Sequence, residues 1–259
     1  MTAASQLQVE TIGNGPDIVF FHGWGMNSAV WLQTLGVLSR NYRVSLIDFP
    51  GFGKNIEVPC DQQLDTLTDC ILPHVPKDAV IVAWSMGGLV AMNIALRCPG
   101  YMSKLVLIAS NAQFVVSDTW STAMRAEVLD GFVENLNADY RQTLQRFLML
   151  QARGGDNAKE TIRALKQRLY QYGEPDKKAL KGGLQLLKNT RFVTQLAKMD
   201  LPVLLMFGKR DALVPVAAAQ QMQQRFPNAR LVTFATAAHA PFLSHFDEYI
   251  KSLRDFLAE

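Results

Sequence analysis

The sequence predicts an α/β protein: a mostly parallel, doubly wound sheet with a helical segment inserted into it. Three observations carry that expectation. Short, nearly continuous runs of Val, Ile, Leu and Phe recur along the chain, as in strands buried on both faces of a parallel sheet. Longer segments of helical pattern separate these runs. One long stretch, 113–189, breaks the alternation by favouring helix and holding no convincing strand.

Taken in order, the runs at 18–21, 42–48, 79–84 and 104–109 are read as strands, and those at 202–208 and 230–235 follow the helical stretch. Helices are read between them, for instance at 88–97 and 216–225. Within 113–189, Gly154-Gly155, Gly173-Glu174-Pro175 and Gly182-Gly183 read as turns. The chain therefore divides into a core, 1–112 with 190–259, and a helical lid, 113–189. Charge in the lid is uneven. Residues 113–140 carry five acids against Arg125, net −4, whereas 141–188 carry eleven Lys and Arg against four acids, net +7.

Composition removes several classes. With 49% hydrophobic and 19% charged residues, a chain of 259 is ordinary globular protein and not disordered, collagenous or coiled-coil. A net charge of +3 argues against a dedicated nucleic-acid binder. No apolar run reaches the ~20 residues of a membrane span. The first fifteen residues lack the basic start and apolar core of an export signal, so a cytoplasmic protein is expected; a monomer is the separate expectation for its assembly. Cys60, Cys70 and Cys98 share no metal or redox spacing and read as reduced thiols. No metal and no cofactor is expected.

The strongest local signal is Ala83-Trp84-Ser85-Met86-Gly87, directly after a buried run and before a helix. It is close to G-x-S-x-G, in which a tight strand-to-helix turn exposes a serine hydroxyl. Ala83 replaces the first glycine at the expense of one methyl. The turn leaves the Met86 N–H at a helix start, where amides have no intrahelical partner and negative charge is favoured. A second donor is read in His22-Gly23-Trp24-Gly25, as the Trp24 N–H. Together these would form an oxyanion hole. A serine nucleophile needs a base oriented by a third group. Asp211 lies in Gly208-Lys-Arg-Asp-Ala-Leu-Val-Pro215, and His239 in Ala237-Ala-His-Ala-Pro-Phe242. Both loops follow strands, and the order Ser, Asp, His is the one this fold requires. Activity should rise as the imidazole loses its proton, since only the neutral ring can act as base.

These residues resemble the α/β-hydrolase family over almost the whole chain, through H-G-W-G at 22–25, D-F-P-G-F-G at 48–53 and the three motifs above. The resemblance implies the α/β-hydrolase fold with its helical lid inserted after the sixth strand. Within the family the chain is similar to the carboxylesterases that act on a pimeloyl methyl ester carried on acyl-carrier protein in biotin synthesis. Arg146-Phe-Leu-Met-Leu-Gln151, Arg163-Ala-Leu-Lys166 and 182–188 carry that likeness into the lid. It implies Ser85 as nucleophile, His239 as base and Asp211 as orienting acid. Trp24, Ser85, Met86 and His239 would contact substrate, and Phe147, Leu148, Met149, Leu150 and Gln151 would line the acyl channel. Arg141, Arg146, Lys159 and Arg163 would receive the acidic carrier protein. Lys159 stands where arginine is usual, and lysine lacks the planar fork that grips two oxygens.

Plainer readings stand beside these. Ser85 alone could simply start a helix, and Asp211 could cap its loop. Phe147 to Leu150 could be lid core, and the basic run a solvated face. His22 reads as a brace for its loop, Asp48 as structural, and His245 as helix surface. The same triad could also cleave a carbon–carbon bond or serve as a general small-ester esterase with no carrier partner. A binding protein that kept the fold is a third reading.

Overall fold

The structure, a computed structural model, describes residues 7–259, so the first six residues of the segment read as lacking an export signal lie outside it. In chain order the strands are β1 (Val9–Ile12), β2 (Asp17–Phe21), β3 (Arg43–Ile47), β4 (Val80–Trp84), β5 (Lys104–Ile108), β6 (Val203–Gly208) and β7 (Ala229–Phe234). They form one sheet in the order β1-β3-β2-β4-β5-β6-β7. Every neighbouring pair is parallel except β1 with β3. The six strands read from apolar runs are all present. β1 is the addition: an edge strand whose Thr11 and Ile12 face solvent, too short and polar to stand out as a buried run.

Central strands β4 and β6 are buried along their whole length, which is why their sequences are continuous apolar runs. Helices α1 (Leu32–Leu38), α2 (Leu64–Ile71) and α3 (Met86–Arg97) connect the first strands. Between β5 and β6 come α4 (Ala126–Ala138), α5 (Tyr140–Ala152), α6 (Ala158–Leu169) and α7 (Lys177–Asn189). Then follow α8 (Val216–Gln223), the single turn α9 (Pro241–Ser244) and α10 (Phe246–Ala258). The insertion thus follows the fifth strand, not the sixth. Gly182-Gly183, read from the sequence as a turn, lies inside α7 instead.

The register aligns the carboxyl ends of the strands. Phe21 pairs with Ala83, Ala83 with Leu107, and Leu107 with Leu205. The loops that leave β2, β4, β6 and β7 consequently open on one rim, the edge at which open α/β sheets hold ligands. No helix among the described residues is long and apolar enough to cross a membrane.

Candidate active site

Ser85 follows the last residue of β4 and caps α3 with φ +52° and ψ −117°, a left-handed backbone that costs a side-chain-bearing residue energy. Its main chain is fully tied. The Ser85 N–H donates to Ile108 O at 2.9 Å, and its carbonyl accepts from Gly88 N at 3.0 Å and Ser110 Oγ at 2.7 Å. A Cβ on Gly88 would run into the Ser110 side chain, so α3 packs too closely on the segment after β5 for any larger residue.

The structure brings Ser85, His239 and Asp211 together. Ser85 Oγ lies 3.0 Å from His239 Nε2, and His239 Nδ1 lies 2.7 Å from Asp211 Oδ2. A carboxylate only accepts, so Nδ1 carries the ring proton and Nε2 is left to accept from the serine hydroxyl. The other Asp211 oxygen accepts from the amides of Leu213 at 2.8 Å and Val214 at 3.0 Å, which fixes the carboxylate plane. The imidazole and carboxylate side chains are 1% and 0% exposed. The Arg210 N–H donates to Ala237 O at 3.0 Å, linking the acid loop to the base loop.

The loop after β2 packs against the same serine: a Cβ on Gly23 would lie 3.2 Å from Ser85 Cβ. Among the described residues neither the Trp24 nor the Met86 N–H donates to a protein acceptor. His22 braces this loop, as read from the sequence. Its Nδ1–H donates to Gly23 O at 2.8 Å and its Nε2 accepts from Phe49 N at 3.0 Å. The Phe49 bond needs the neutral ring, and burial pushes its pKa below the usual 6.5 against opposing effects of Asp48 and the Gly23 carbonyl. Asp48 is structural, accepting from Ser28 N, Ser28 Oγ and Lys54 N.

The insertion closes over these groups. Trp24 Nε1 donates to Leu180 O at 2.8 Å, and its ring meets Phe147 edge-on at 4.7 Å. A Cβ on Gly183 would lie 2.7 Å from Trp24 Cδ1 and 3.1 Å from Met86 Sδ. Ser85 is left 4% exposed. The run 147–151 does not line one channel, because consecutive helical residues point around the axis. Phe147, Leu148 and Gln151 are buried, Leu150 is half-buried, and Met149 is 52% exposed on the outside. Both Gln151 side-chain polar atoms are buried without a protein partner.

Arg146 on α5, with Lys159 and Arg163 one turn apart on α6, are exposed and form no ion pair among the described residues. Arg141 differs: Glu174 holds its guanidinium through two oxygens at 2.8 and 3.1 Å. His245 is not a free helix-surface residue either, since both ring nitrogens are bonded, to Thr236 Oγ1 at 2.8 Å and Ser244 Oγ at 2.9 Å. Cys60, Cys70 and Cys98 are free and half-buried, and burial raises the Cys60 thiol to about 11, leaving it a poor nucleophile. The sequence carries no sign of the Ser110 bond, of the Phe132 ring edge-on to Phe147 at 5.7 Å, or of the Gly183 contact. Each acts through a partner distant in the chain, and only the glycine pair left a signal, taken as a turn.

Comparison with known proteins agrees with this architecture. Residues 16–246 match the family model described as alpha/beta hydrolase fold. The chain is 39% identical over 248 residues to a pimeloyl-[acyl-carrier protein] methyl ester esterase of Aliivibrio fischeri, covering 96% of each chain. It is 39% identical to the protein of that name from Photobacterium profundum, over 99% of this chain and 100% of that one. An esterase from Exiguobacterium antarcticum superposes with a TM-score of 0.87 at 22% identity, covering 98% of this chain and 96% of that one. An enol-lactonase from Burkholderia xenovorans gives 0.85 at 21%, covering 98% and 96%. The last two share the fold alone. Sheet order, strand-end loops and full-length relatives agree: this chain belongs to the α/β-hydrolase family.

Proposed function

We infer that the protein is a serine carboxylesterase that hydrolyses the methyl ester of pimeloyl-acyl-carrier protein and frees the pimeloyl carboxylate in biotin synthesis, with short-chain esters as further substrates. The observation that carries this reading is the continuous hydrogen-bonded line from Ser85 Oγ through His239 to Asp211, in a chain whose full-length relatives bear that activity in their names. His239 Nε2 takes the hydroxyl proton as Ser85 Oγ attacks the ester carbonyl. The oxyanion that forms is held by the Met86 and Trp24 amides, preorganised where the charge develops. Collapse expels methanol, protonated by His239. The same imidazole then activates water to release the acyl chain, while Asp211 keeps it in the tautomer both steps need.

Phe147, Leu148 and Gln151 are placed to meet the acyl chain, with Leu150 at their margin. Arg146, Lys159 and Arg163 present positive charge to an acidic carrier, and Arg141 would have to leave Glu174 to join them. Free thiols and near-neutral charge support a cytoplasmic setting. The reading includes a monomer, each copy carrying its own triad. The test is mass spectrometry of a methyl-pimeloyl carrier conjugate incubated with the enzyme. Loss of one methylene, absent with Ser85→Ala, is the expected result. An unchanged conjugate, beside rapid cleavage of free short esters, would leave a general esterase.

A further inference from the structure

His239 is gripped by its main chain as well as by its ring. Its N–H donates to Gln151 O of α5 at 2.9 Å, and its carbonyl accepts from Trp84 Nε1 at 2.9 Å. The first bond belongs to the helical insertion and the second to the sheet. Trp84 is fully buried at the end of β4, its ring 5.6 Å from the imidazole and edge-on to Phe242 at 5.0 Å. In an extended strand residues 84 and 85 would point to opposite faces. The left-handed turn at Ser85 breaks that alternation, so neighbouring side chains reach one histidine at two points: Ser85 at the ring, Trp84 at the carbonyl.

Ser85 is only 4% exposed beneath the insertion, and any shift of α5 would strain or break the Gln151 bond. We propose that Trp84 is the positioning residue of the base: its indole N–H, donated to the His239 carbonyl, keeps the imidazole in register with Ser85 while the insertion moves. The proposal rests on the esterase reading above. It accounts for a tryptophan beside the nucleophile, where an indole without its acceptor would leave a donor and a carbonyl buried and unpaired.

Trp84→Phe keeps an aromatic ring and removes the donor. Trp31→Phe is the control, because the Trp31 indole nitrogen is buried with no partner and its ring, 4.3 Å from Phe242, bonds no triad residue. Turnover of a short nitrophenyl ester is normalised to sites titrated with a fluorophosphonate, so misfolded protein does not count. In Trp84→Phe, kcat per titrated site should fall about tenfold or more while KM stays within about twofold. Trp31→Phe, which orphans no acceptor, should keep kcat. Should Trp84→Phe not fold, benzothienylalanine at position 84, which exchanges N–H for sulfur in a ring of the same shape, gives the same reading. Unchanged kcat per site, or equal loss in the Trp31 control, overturns the proposal alone. A wild-type chain inert on all esters overturns the esterase reading and this proposal with it.

Discussion

The sheet rim and the helical insertion hold their residues by different means. At the rim, each group of the candidate triad is fixed at a strand end: Ser85 through three backbone-directed bonds, Asp211 through two amides, and His239 through its carbonyl, its N–H being the one tie to the insertion. The insertion rests on the core through ties scattered over several loops, and none but the Gln151 bond reaches a triad residue. Trp24 reaches Leu180, Asn27 reaches the carbonyls of Arg168 and Leu169, and the amides of Asp176 and Asp156 reach Gly51 and Thr236. The difference teaches where rigidity is needed. Chemistry demands fixed geometry, whereas admission of substrate demands a part that can separate without disturbing it.

Changes at the rim should therefore strike turnover, and changes in the insertion should strike access, docking or stability. The largest expected effect is Asp211→Asn, which leaves the shape intact and reverses the imidazole tautomer; kcat should fall about ten-thousandfold, measured on a short ester. Loss confined to KM would break the comparison. Next is a double charge reversal, Arg146→Glu with Arg163→Glu. Turnover of the carrier-linked ester should drop on the order of tenfold at low salt, fade with added salt, and leave the short ester untouched. Equal loss on both substrates would show that the insertion shapes the chemistry itself.

Two glycines in the insertion sharpen the contrast. Gly183→Ala places a methyl 2.7 Å from the Trp24 ring and should cost about 1–3 kcal/mol in thermal or urea unfolding. Gly131→Ala, in α4 with nothing within 4 Å of the new methyl, should instead stabilise by about 0.5–1 kcal/mol. The smallest effect concerns acid. His22 titrates near 6.5 when unfolded and lower when folded, because burial opposes its charge. Its contribution is complete above 6.5 and is lost as pH falls toward the folded value, where the unfolded chain binds the extra proton. Urea midpoints should decline below pH 6.5, and His22→Gln should flatten that decline.

The contrast also explains what the sequence made legible. Strands buried on both faces must be apolar throughout, so β2, β4, β5 and β6 stand out in order, and β3 and the half-buried β7 keep enough apolar residues to be read beside them. A serine turn, an acid loop and a histidine loop each follow such a strand, so the triad could be placed by position alone. β1 escaped because an edge strand with two exposed residues has no such run. Gly182-Gly183 was read as a turn because local sequence shows missing side chains and not the reason for them. That reason is tertiary: Gln62 lies against one glycine, and Trp24 with Met86 against the other. Residues 147–151 were grouped as one lining, whereas helical geometry turns Met149 outward. The Arg141 pairing with Glu174 joins positions far apart in the chain and leaves no local trace.

The central claim is that Ser85, activated by His239, is the nucleophile. Intact-protein and peptide mass spectrometry after fluorophosphonate treatment tests it most directly, run beside ester hydrolysis by wild type and Ser85→Ala. The account predicts one adduct, on the peptide holding Ser85, and none in Ser85→Ala, whose turnover falls about a millionfold. An adduct on another residue, or hydrolysis that survives in Ser85→Ala, would contradict it.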